Sequence, residues 1–566
     1  MPWTRNSRGV KFLRHWPEVL AAALGVAIFL SRGGAITLWP THVSWIRPGS
    51  DWGYHFAGWE FFRHAPWELP AGAIPNLLYP VGTTVGYMDG IPWLAFLAKL
   101  ASPLLPDPIQ YIGLWFLACY ALQGWFGARL VRALTPSGPA AAFGGIFFVI
   151  APVLLHRIAH EALCAHFLLL AAITLAVRRE TRAPLWPPIL LPAFVMGIHP
   201  YLAFMVLCVC LGAIARHWLE GLIGLRSALL RAALTLALVA GVAALLGYFV
   251  HTGDDIAGQG FGKWSSDLSS LFNPDGHSRH IPDLPMLFWE GEGCGFLGIG
   301  ILALLLLTPA VLALGWFRKA PPLPWRRVLP LVVAALLCAA IAYSSNVRLF
   351  GKQILDVGFL YPKSVGAAFR SSGRFIWVLT YTLTIGALAI WVTRLPRLAP
   401  FVIGAALIMQ TADTKGIFNA NRFGGPKRLP QFASEWQLAA GDYKHMELFP
   451  PRCSDGGGRA CCDGFTTPPL PSDMYLAGLA TSLGLTYNGL GAARVPLAAH
   501  GVYCKELQDD VAAGRLDPQS IYLVARDKEK PFRDQNPTAP CKRLGGDLVC
   551  VSPQATGKLR DALAAP

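Results

Sequence analysis

The stretch WPEVLAAALGVAIFLSRGGAITL (residues 16–38) is the first long apolar run of the chain. It is close to the ~20 residues that an α-helix needs to cross a hydrocarbon core about 30 Å thick. The basic sequence MPWTRNSRGVKFLRH (1–15) precedes it, and no small-residue cleavage site follows it. The pattern therefore predicts a signal anchor that stays in the protein as a first membrane span.

The rest of the chain repeats this apolar character. Of its 566 residues, 54% are hydrophobic and only 14% are charged, whereas soluble domains have about 25% charged residues. The mean hydropathy is +0.44. These values predict a polytopic α-helical membrane protein. We expect eleven spans, at 16–38, 109–128, 138–155, 161–177, 185–198, 201–215, 228–250, 293–316, 328–345, 374–393 and 397–412.

The basic residues predict which loops face the cytoplasm. A net charge of +15 can indicate nucleic-acid binding, but here much of the positive charge lies in short clusters between apolar runs, as is typical of cytoplasmic loops. We therefore expect a cytoplasmic N-terminus and no nucleic-acid partner. The clusters are Arg129 and Arg132; Arg178, Arg179 and Arg182; Arg216 and Arg226; Arg318, Lys319, Arg326 and Arg327; and Arg394 and Arg397.

The segment IPWLAFLAKLASPLLP (91–106) decides between two topologies. It is short for a span, contains Lys99, and has prolines near both ends. We expect an interfacial or re-entrant helix on the outer face. If it crossed the membrane instead, every later loop would change sides and the arginine clusters would face outward.

The hydropathy falls after residue 412, so we divide the chain into a transmembrane domain (1–412) and a C-terminal domain (413–566). Local patterns in the tail predict a small α/β domain. With a cytoplasmic N-terminus, the odd number of spans places this domain on the outer, extracytoplasmic side of the membrane. The strand candidates are KHMELFP (444–450) and SIYLVARD (520–527), and the helix candidates are DMYLAGLATSLG (473–484) and CKELQDDVAAGRL (504–516).

Half of the cysteines lie in this tail. They are even in number and no CxxC pair occurs among them, so disulfides are favoured over a zinc site. The pairing stays open, although Cys541 and Cys550 could close a short hairpin. The candidates are Cys453, Cys461, Cys462, Cys504, Cys541 and Cys550.

Polar residues gather in the predicted outer segments 39–108, 251–292 and 346–373 and in two short outer turns. Because they share one membrane face, a single cavity could collect them. A tryptophan there can be an interfacial anchor, a histidine can be solvated, and an arginine can meet lipid phosphates. The candidates are Asp51, His55, Trp59, Arg63, Tyr79, Asp89, Arg157, His160, His199, Tyr201, Glu292, Lys363, Arg370 and Arg374.

Asp51 is the candidate that a purely structural role explains least well. A carboxylate beside an apolar span is costly to retain unless it is paired or functional. His55, Trp59 and Arg63 follow it at intervals of four residues, so a helix would place all four on one face. In contrast, the pair His156 and His160 does not fit a zincin, because Arg157 stands where the glutamate should be.

At this point the sequence resembles the GT-C class of integral-membrane glycosyltransferases, which use lipid-phosphate-linked sugars. The class has an acidic residue directly after the first span, as Asp51 is here, and an outer amphipathic helix, which 91–106 resembles. It also ends its second span in basic residues, as GARLVRAL (127–134) does.

More narrowly, the chain is similar to an uncharacterised bacterial family of GT-C-like proteins. The likeness covers most of residues 45–380 and part of the tail, and it lies in an ordered set of motifs. These are Asp51, His55, Gly58, Trp59 and Phe62; Tyr79, Pro80, Gly82, Asp89 and Pro92; Arg157, His160, Ala162 and Leu163; Glu292, Gly293, Phe296, Leu297, Gly298 and Gly300; and Phe369, Arg370, Gly373, Arg374 and Phe375.

The resemblance implies an inverting sugar transfer from a polyprenyl-phosphate donor to a glycan, lipid or cell-envelope acceptor, at the outer face of a bacterial inner membrane. Asp51 is then the general base. Lys363, Arg370 and Arg374, with Arg157, are candidates for binding the phosphate. Trp59 and Tyr79 could stack on the sugar or could be packing. The other polar candidates above would line the substrate site.

Several alternatives stay open. Many members of the class have paired acids in the first outer loop, but Trp52 follows Asp51 here, so dependence on Mg²⁺ or Mn²⁺ is undecided. The closest enzymatic alternative is a polymerase or ligase of lipid-linked oligosaccharides. Outside enzymes, the alternatives are a transporter or flippase of a lipid-linked sugar and an assembly protein that docks through its tail.

Overall fold

The apolar runs form helices in a computed structural model of the chain. The structure describes residues 15–46, 50–250, 260–317, 324–362, 366, 368–414, 423, 434–451, 453–455 and 471–565. The α-helices longer than one turn are α1 (Trp16–Ser31), α2 (Asp51–His64), α3 (Pro92–Ala101), α4 (Ile112–Arg132), α5 (Gly138–Val149), α6 (Phe167–Val177), α7 (Pro187–Met196), α8 (Pro200–Leu219), α9 (Leu225–Leu245), α10 (Ile299–Phe317), α11 (Trp325–Tyr343), α12 (Ile376–Arg394), α13 (Ala399–Asp413), α14 (Pro471–Ser482), α15 (Leu497–Ala512), α16 (Glu529–Gln535) and α17 (Lys558–Ala564).

Five helical segments in the described part of the chain are long and apolar enough to cross a membrane. Each of the eleven predicted spans overlaps one of the α-helices α1 and α4–α13. Several of these are apolar but only 10–17 residues long, so the number of crossings stays a prediction. The five segments are Gly138–Ala159, Pro200–Leu219, Leu225–Leu245, Trp325–Tyr343 and Ser372–Arg394.

One compact unit consists of Met1–Pro40, Tyr111–Val242 and Gly260–Phe423, and most of its described residues are helical. In it, α1 packs along α4 and α5. Two glycines allow this close approach, because a Cβ added at Gly25 or at Gly124 would lie 2.1 Å from a backbone oxygen of the facing helix. Small residues at helix crossings let the backbones come together. The unit also contains a short hairpin, β3 (Asn346–Leu349) and β4 (Lys352–Asp356).

The second unit consists of Thr41–Gln110, Ala243–Gln259 and Gly424–Pro566. Its largest sheet has five strands in the order β10-β11-β9-β5-β7. The pairs β5–β9 and β5–β7 are parallel, whereas β9–β11 and β10–β11 are antiparallel. Helices α14 and α15 lie where the sequence predicts them, so the α/β prediction for the tail is confirmed. The strands are β5 (His445–Phe449), β7 (Thr486–Tyr487), β9 (Ser520–Val524), β10 (Cys541–Leu544) and β11 (Asp547–Val551).

A disulfide joins Cys541 and Cys550, which face each other across the β10–β11 hairpin. This confirms the hairpin pairing suggested by the sequence. Cys504, on α15, is disulfide-bonded as well. Cys461 and Cys462 lie outside the described residues, and for Cys453 only the backbone, in strand β6 (Cys453–Asp455), is described.

The first predicted outer segment folds within the second unit. It contains α2, a short hairpin of β1 (Ala73–Ile74) and β2 (Thr83–Thr84), and α3. Leu77 forms a parallel bridge with Tyr487, whose carbonyl also accepts the backbone N–H of Tyr79 at 3.0 Å. Residues that are distant in sequence therefore share one compact unit with the C-terminal sheet.

Helix α3 forms within the predicted interfacial segment 91–106. Its lysine does not contradict the apolar character of the helix, because Lys99 faces inward. The ammonium lies 4.1 Å from the centre of the Phe62 ring and 4.3 Å from that of Trp67, and burial lowers the pKa of Lys99 to about 8. Two leucines of the same helix, Leu97 and Leu100, are exposed.

Candidate functional site

Three predicted site residues of the first unit form one ion-pair cluster. Arg157 follows α5 in a short 3-10 turn, Glu292 lies in the 3-10 helix Phe288–Gly293, and Arg374 lies in another, Ser372–Phe375. Arg157 Nη1 is 3.3 Å from Glu292 Oε1, and Arg374 pairs with the same oxygen. Arg157 Nη2 also donates to the carbonyl of Gly291 at 3.3 Å. Two guanidinium groups therefore share one carboxylate.

Burial and charge set the electrostatics of this cluster. The side chains of Arg157, Arg374 and Glu292 are 4%, 9% and 16% exposed. Burial alone would raise the pKa of Glu292, but Arg374 and Arg157 outweigh it and hold this pKa well below its usual range. Glu292 is therefore ionised at neutral pH. Because arginine keeps its proton, the three side chains carry a net charge of +1.

The Tyr201 ring lies against Arg374, and the His199 ring lies beside that tyrosine. The Arg374 guanidinium lies 5.1 Å from the centre of the Tyr201 ring, a cation–π distance. The hydroxyl of Tyr201 accepts the backbone N–H of Ser371 at 3.0 Å. His199 is the N-cap of α8, and its Nδ1 accepts the N–H of Tyr201 at 3.1 Å. Five predicted residues, from four separate segments, thus meet in this unit.

Three other predicted residues belong to this part of the chain: His160, Arg370 and Lys363. His160 is half-buried just after the turn His156–Ala159, and its charge contributes to the low pKa of Glu292. Arg370 is half-buried. Lys363 lies outside the described residues.

A histidine pair beside the cluster was not predicted. Nδ1 of His156 lies 3.1 Å from Nε2 of His277. Burial lowers the pKa of His277, although Asp275 opposes this effect. The sequence motifs HRIAHEALCAH (156–166) and NPDGHSRH (273–280) signalled histidine-rich outer segments, but nothing in them indicated which histidines meet.

Asp51 and His55 belong to the second unit. Asp51 is the first residue of α2 and is half-buried. His55 is buried one turn later, and its Nε2 lies 3.9 Å from Oδ2 of Asp89. All of residues 51–64 form one helix, so the predicted spacing of Asp51, His55, Trp59 and Arg63 at successive turns is present.

Further along α2 the side chains serve the packing of the unit. Trp59 is only 2% exposed, and its Nε1 donates to the carbonyl of Ile109 at 2.8 Å. Arg63 donates to Ser102 Oγ at 2.6 Å and to the carbonyl of Leu105 at 2.9 Å. Outside α2, the Tyr79 ring stacks on the His445 ring, with the ring centres 4.4 Å apart. These contacts favour the packing alternative for Trp59 and leave little of its ring for a sugar.

A second group of titratable side chains lies at the end of α2. Ligand-type atoms of Glu60, His64 and Asp107 all lie within 4.8 Å of one another. The pKa of Glu60 is raised to about 8, mainly by burial and to a lesser extent by the nearby Asp107 carboxylate. The sequence reasoning missed this group, although the spacing of Glu60 and His64 by four residues was a usable signal.

The fold and its residues define a class of protein: a helical protein with membrane-length helices, a buried arginine–glutamate cluster and a C-terminal sheet domain. The family described as domain of unknown function DUF6311 matches residues 22–415. The DUF6311 C-terminal domain matches residues 435–552. The chain therefore belongs to the DUF6311 family. A search of curated proteins gives no match to it.

Proposed function

We propose that the protein is an inverting glycosyltransferase of the GT-C type. It moves a sugar from a polyprenyl-phosphate donor to a hydroxyl group of a glycan, a lipid or a cell-envelope polymer. The observation that carries this proposal is the cluster in which Arg157 and Arg374 share the Glu292 carboxylate. Sequence resemblance supplies the reaction type, and the cluster supplies a chemical reason for an anionic ligand.

The cluster is suited to phosphate because its positive charge exceeds its negative charge. Two guanidinium groups meet at a single carboxylate here, so an anion near the two arginines would be favourable. The planar guanidinium group matches the oxygens of a phosphate. In the transfer, such groups stabilise the negative charge that develops on the leaving phosphate.

The resemblance implies that Asp51, in the second unit, is the general base of the reaction. It lies at the N-terminal end of α2, where the helix dipole favours an ionised carboxylate. The carboxylate takes the proton of the acceptor hydroxyl as the acceptor oxygen attacks the anomeric carbon. The bond from that carbon to the phosphate oxygen breaks, and its electron pair leaves with the lipid phosphate. Attack opposite the leaving group inverts the anomeric centre.

A membrane location supports a lipid-linked donor. Five segments have the length and composition of membrane spans, and we propose that the shorter apolar helices complete a bundle of eleven. Helix α3 exposes Leu97 and Leu100, at 64% and 68%, as expected of a helix lying in the lipid interface. We place the N-terminus in the cytoplasm of a bacterium and the C-terminal domain in the periplasm, following the basic loops.

The test is transfer by the purified protein in lipid nanodiscs, supplied with a panel of polyprenyl-phosphate sugars and short glycan acceptors. We expect transfer or slow donor hydrolysis with one donor class. Asp51→Asn should lower the rate at least ~10²-fold, because a general base contributes about that much. Asp547→Asn, at an exposed strand position, is the matched control and should keep the wild-type rate.

Two results would overturn the proposal. One is transfer by Asp51→Asn at the wild-type rate. The other is movement of a lipid-linked sugar across a vesicle membrane without transfer or hydrolysis of any donor. That is the behaviour of a flippase.

A further inference from the structure

Glu60, His64 and Asp107 bring three metal-binding groups together in the second unit. Glu60 and His64 are one turn apart on α2, and Asp107 comes from the segment that follows α3. Nε2 of His64 lies 3.3 Å from Oδ2 of Asp107. One ligand atom from each of the three residues lies within 4.8 Å of the other two.

Glu60 is the unusual member of the group. It is 6% exposed. Its carboxyl group interacts with the Asp107 carboxyl and the Ile109 backbone, but its Oε1 atom has no hydrogen-bond partner among the residues that the structure describes. A buried carboxylate oxygen without a partner is costly, and such groups are normally hydrogen-bonded or bound to a metal. Its position next to an imidazole and a second carboxylate indicates what the missing partner is.

We propose that Glu60, His64 and Asp107 bind a divalent transition-metal ion of the Zn²⁺ type. Two carboxylates balance a charge of +2, and one imidazole favours Zn²⁺ over Mg²⁺ or Ca²⁺. Ligand atoms around a tetrahedral zinc at ~2.1 Å lie about 3.4 Å apart. His64 Nε2 and Asp107 Oδ2, at 3.3 Å, already have this spacing. The longest of the three separations needs to shorten by at most about 1.4 Å, which the exposed members can do.

The surroundings of the group provide both access and support. The side chains of His64 and Asp107 are 39% and 53% exposed, so an ion can enter and keep a water ligand. Oδ1 of Asp107 lies 3.6 Å from Arg63 Nη1, which leaves Oδ2 for the metal. Arg63 itself is held by Ser102 and Leu105. It acts as an outer-shell group that orients the carboxylate.

This site is independent of the proposed sugar transfer. Asp51 and Glu60 are nine residues apart on α2, which corresponds to about 13 Å along a helix axis. Metal binding at the end of the helix therefore stands or falls separately from a role for Asp51 at its beginning.

The experiment uses the full chain, purified without a histidine tag and treated with a chelator. Zn²⁺ binding is measured by calorimetry, and Co²⁺ absorbance in the visible range reports the ligand geometry. We expect one Zn²⁺ per chain at this site and a rise of the unfolding temperature when it binds. His64→Gln and Asp107→Asn should each lower the affinity at least 10-fold and remove the Co²⁺ spectrum.

His280→Ala, at an exposed histidine of the other unit, is the matched control and should bind like the wild type. Because His64 and Asp107 are partly exposed, their variants are expected to fold. Wild-type affinity in both His64→Gln and Asp107→Asn would overturn the proposal, as would the absence of any Zn²⁺ binding by the chelator-treated protein.

Discussion

Arg157 and Arg374 contact the same oxygen atom, Oε1 of Glu292. The three residues come from three separate segments of the chain, so the contact depends on the whole fold of the first unit. Each residue was a candidate from sequence, but only as one polar residue among many. Because the two arginines share one carboxylate, the three side chains interact electrostatically as one group. Substitutions of the individual residues can separate their roles.

Glu292→Gln should destabilise the first unit. The change removes the negative charge between two largely buried guanidinium groups, and breaking a buried pair costs roughly 3–5 kcal/mol. The partial exposure of Glu292, at 16%, puts the expectation at the low end of that range. The measurement is thermal unfolding in detergent. Glu529→Gln removes the partner of the more exposed Arg543 and should cost no more than about 1 kcal/mol. Equal unfolding temperatures for the two variants would contradict the assignment.

Arg374→Ala should weaken donor binding more than Arg374→Lys. Lysine keeps the positive charge but loses the planar fork that binds two phosphate oxygens. Binding of a fluorescent polyprenyl phosphate to the purified variants measures the difference. Arg394→Ala, at the other end of α12, should bind like the wild type. Wild-type affinity in both Arg374 variants would instead assign Arg374 to packing.

Removal of the Cys541–Cys550 disulfide should loosen the C-terminal sheet. The two cysteines are nine residues apart, and closing a loop of that size contributes roughly 2–3 kcal/mol in the chain-entropy model. Cys541→Ser/Cys550→Ser should therefore speed amide exchange in β10 and β11 while the helices of the first unit stay protected. Unchanged exchange in this hairpin would show that its packing alone suffices.

The contribution of Glu447 to the stability of the second unit should fall as the pH rises from about 4.5 to about 7. Glu447 is 6% exposed in the interior strand β5, and burial raises its pKa from 4.5 to about 7. Between these values the folded state holds a proton that the unfolded state releases. Stability is therefore lost between about pH 4.5 and pH 7, by up to about 3 kcal/mol.

Glu447→Gln should remove the contribution of Glu447 and leave that of Glu60, whose raised pKa acts in the same unit and in the same direction. At pH 8 the variant should be more stable than the wild type. Proteolysis of the C-terminal domain across the pH series measures it, and Glu506→Gln, at an exposed position of α15, is the control. A wild-type pH profile in Glu447→Gln would refute the assignment.

The local structure was largely readable from the sequence. Apolar runs of helical length form helices, and the pattern of the tail predicts two of its strands, β5 and β9, and two helices that overlap α14 and α15, because hydrophobic periodicity is a local property. The pairing of Cys541 with Cys550 followed for the same reason, since the residues flank a short turn. The helix from Asp51 was also foreseeable from residues spaced one turn apart.

The contacts between distant segments were not readable. Nothing in the chain near Glu292 shows that Arg157 and Arg374 converge on it, and nothing near Glu60 shows that Asp107 lies beside it. The sequence leaves Trp59 as either a stacking surface for a sugar or a packing residue, and its burial against Ile109 comes from packing of a segment fifty residues away. Sequence by itself determined which residues are apolar, charged and helical, because those properties are local. Only the tertiary structure decided which charges share a partner and which aromatic rings stay accessible, because burial and pairing depend on segments that the chain brings together when it folds.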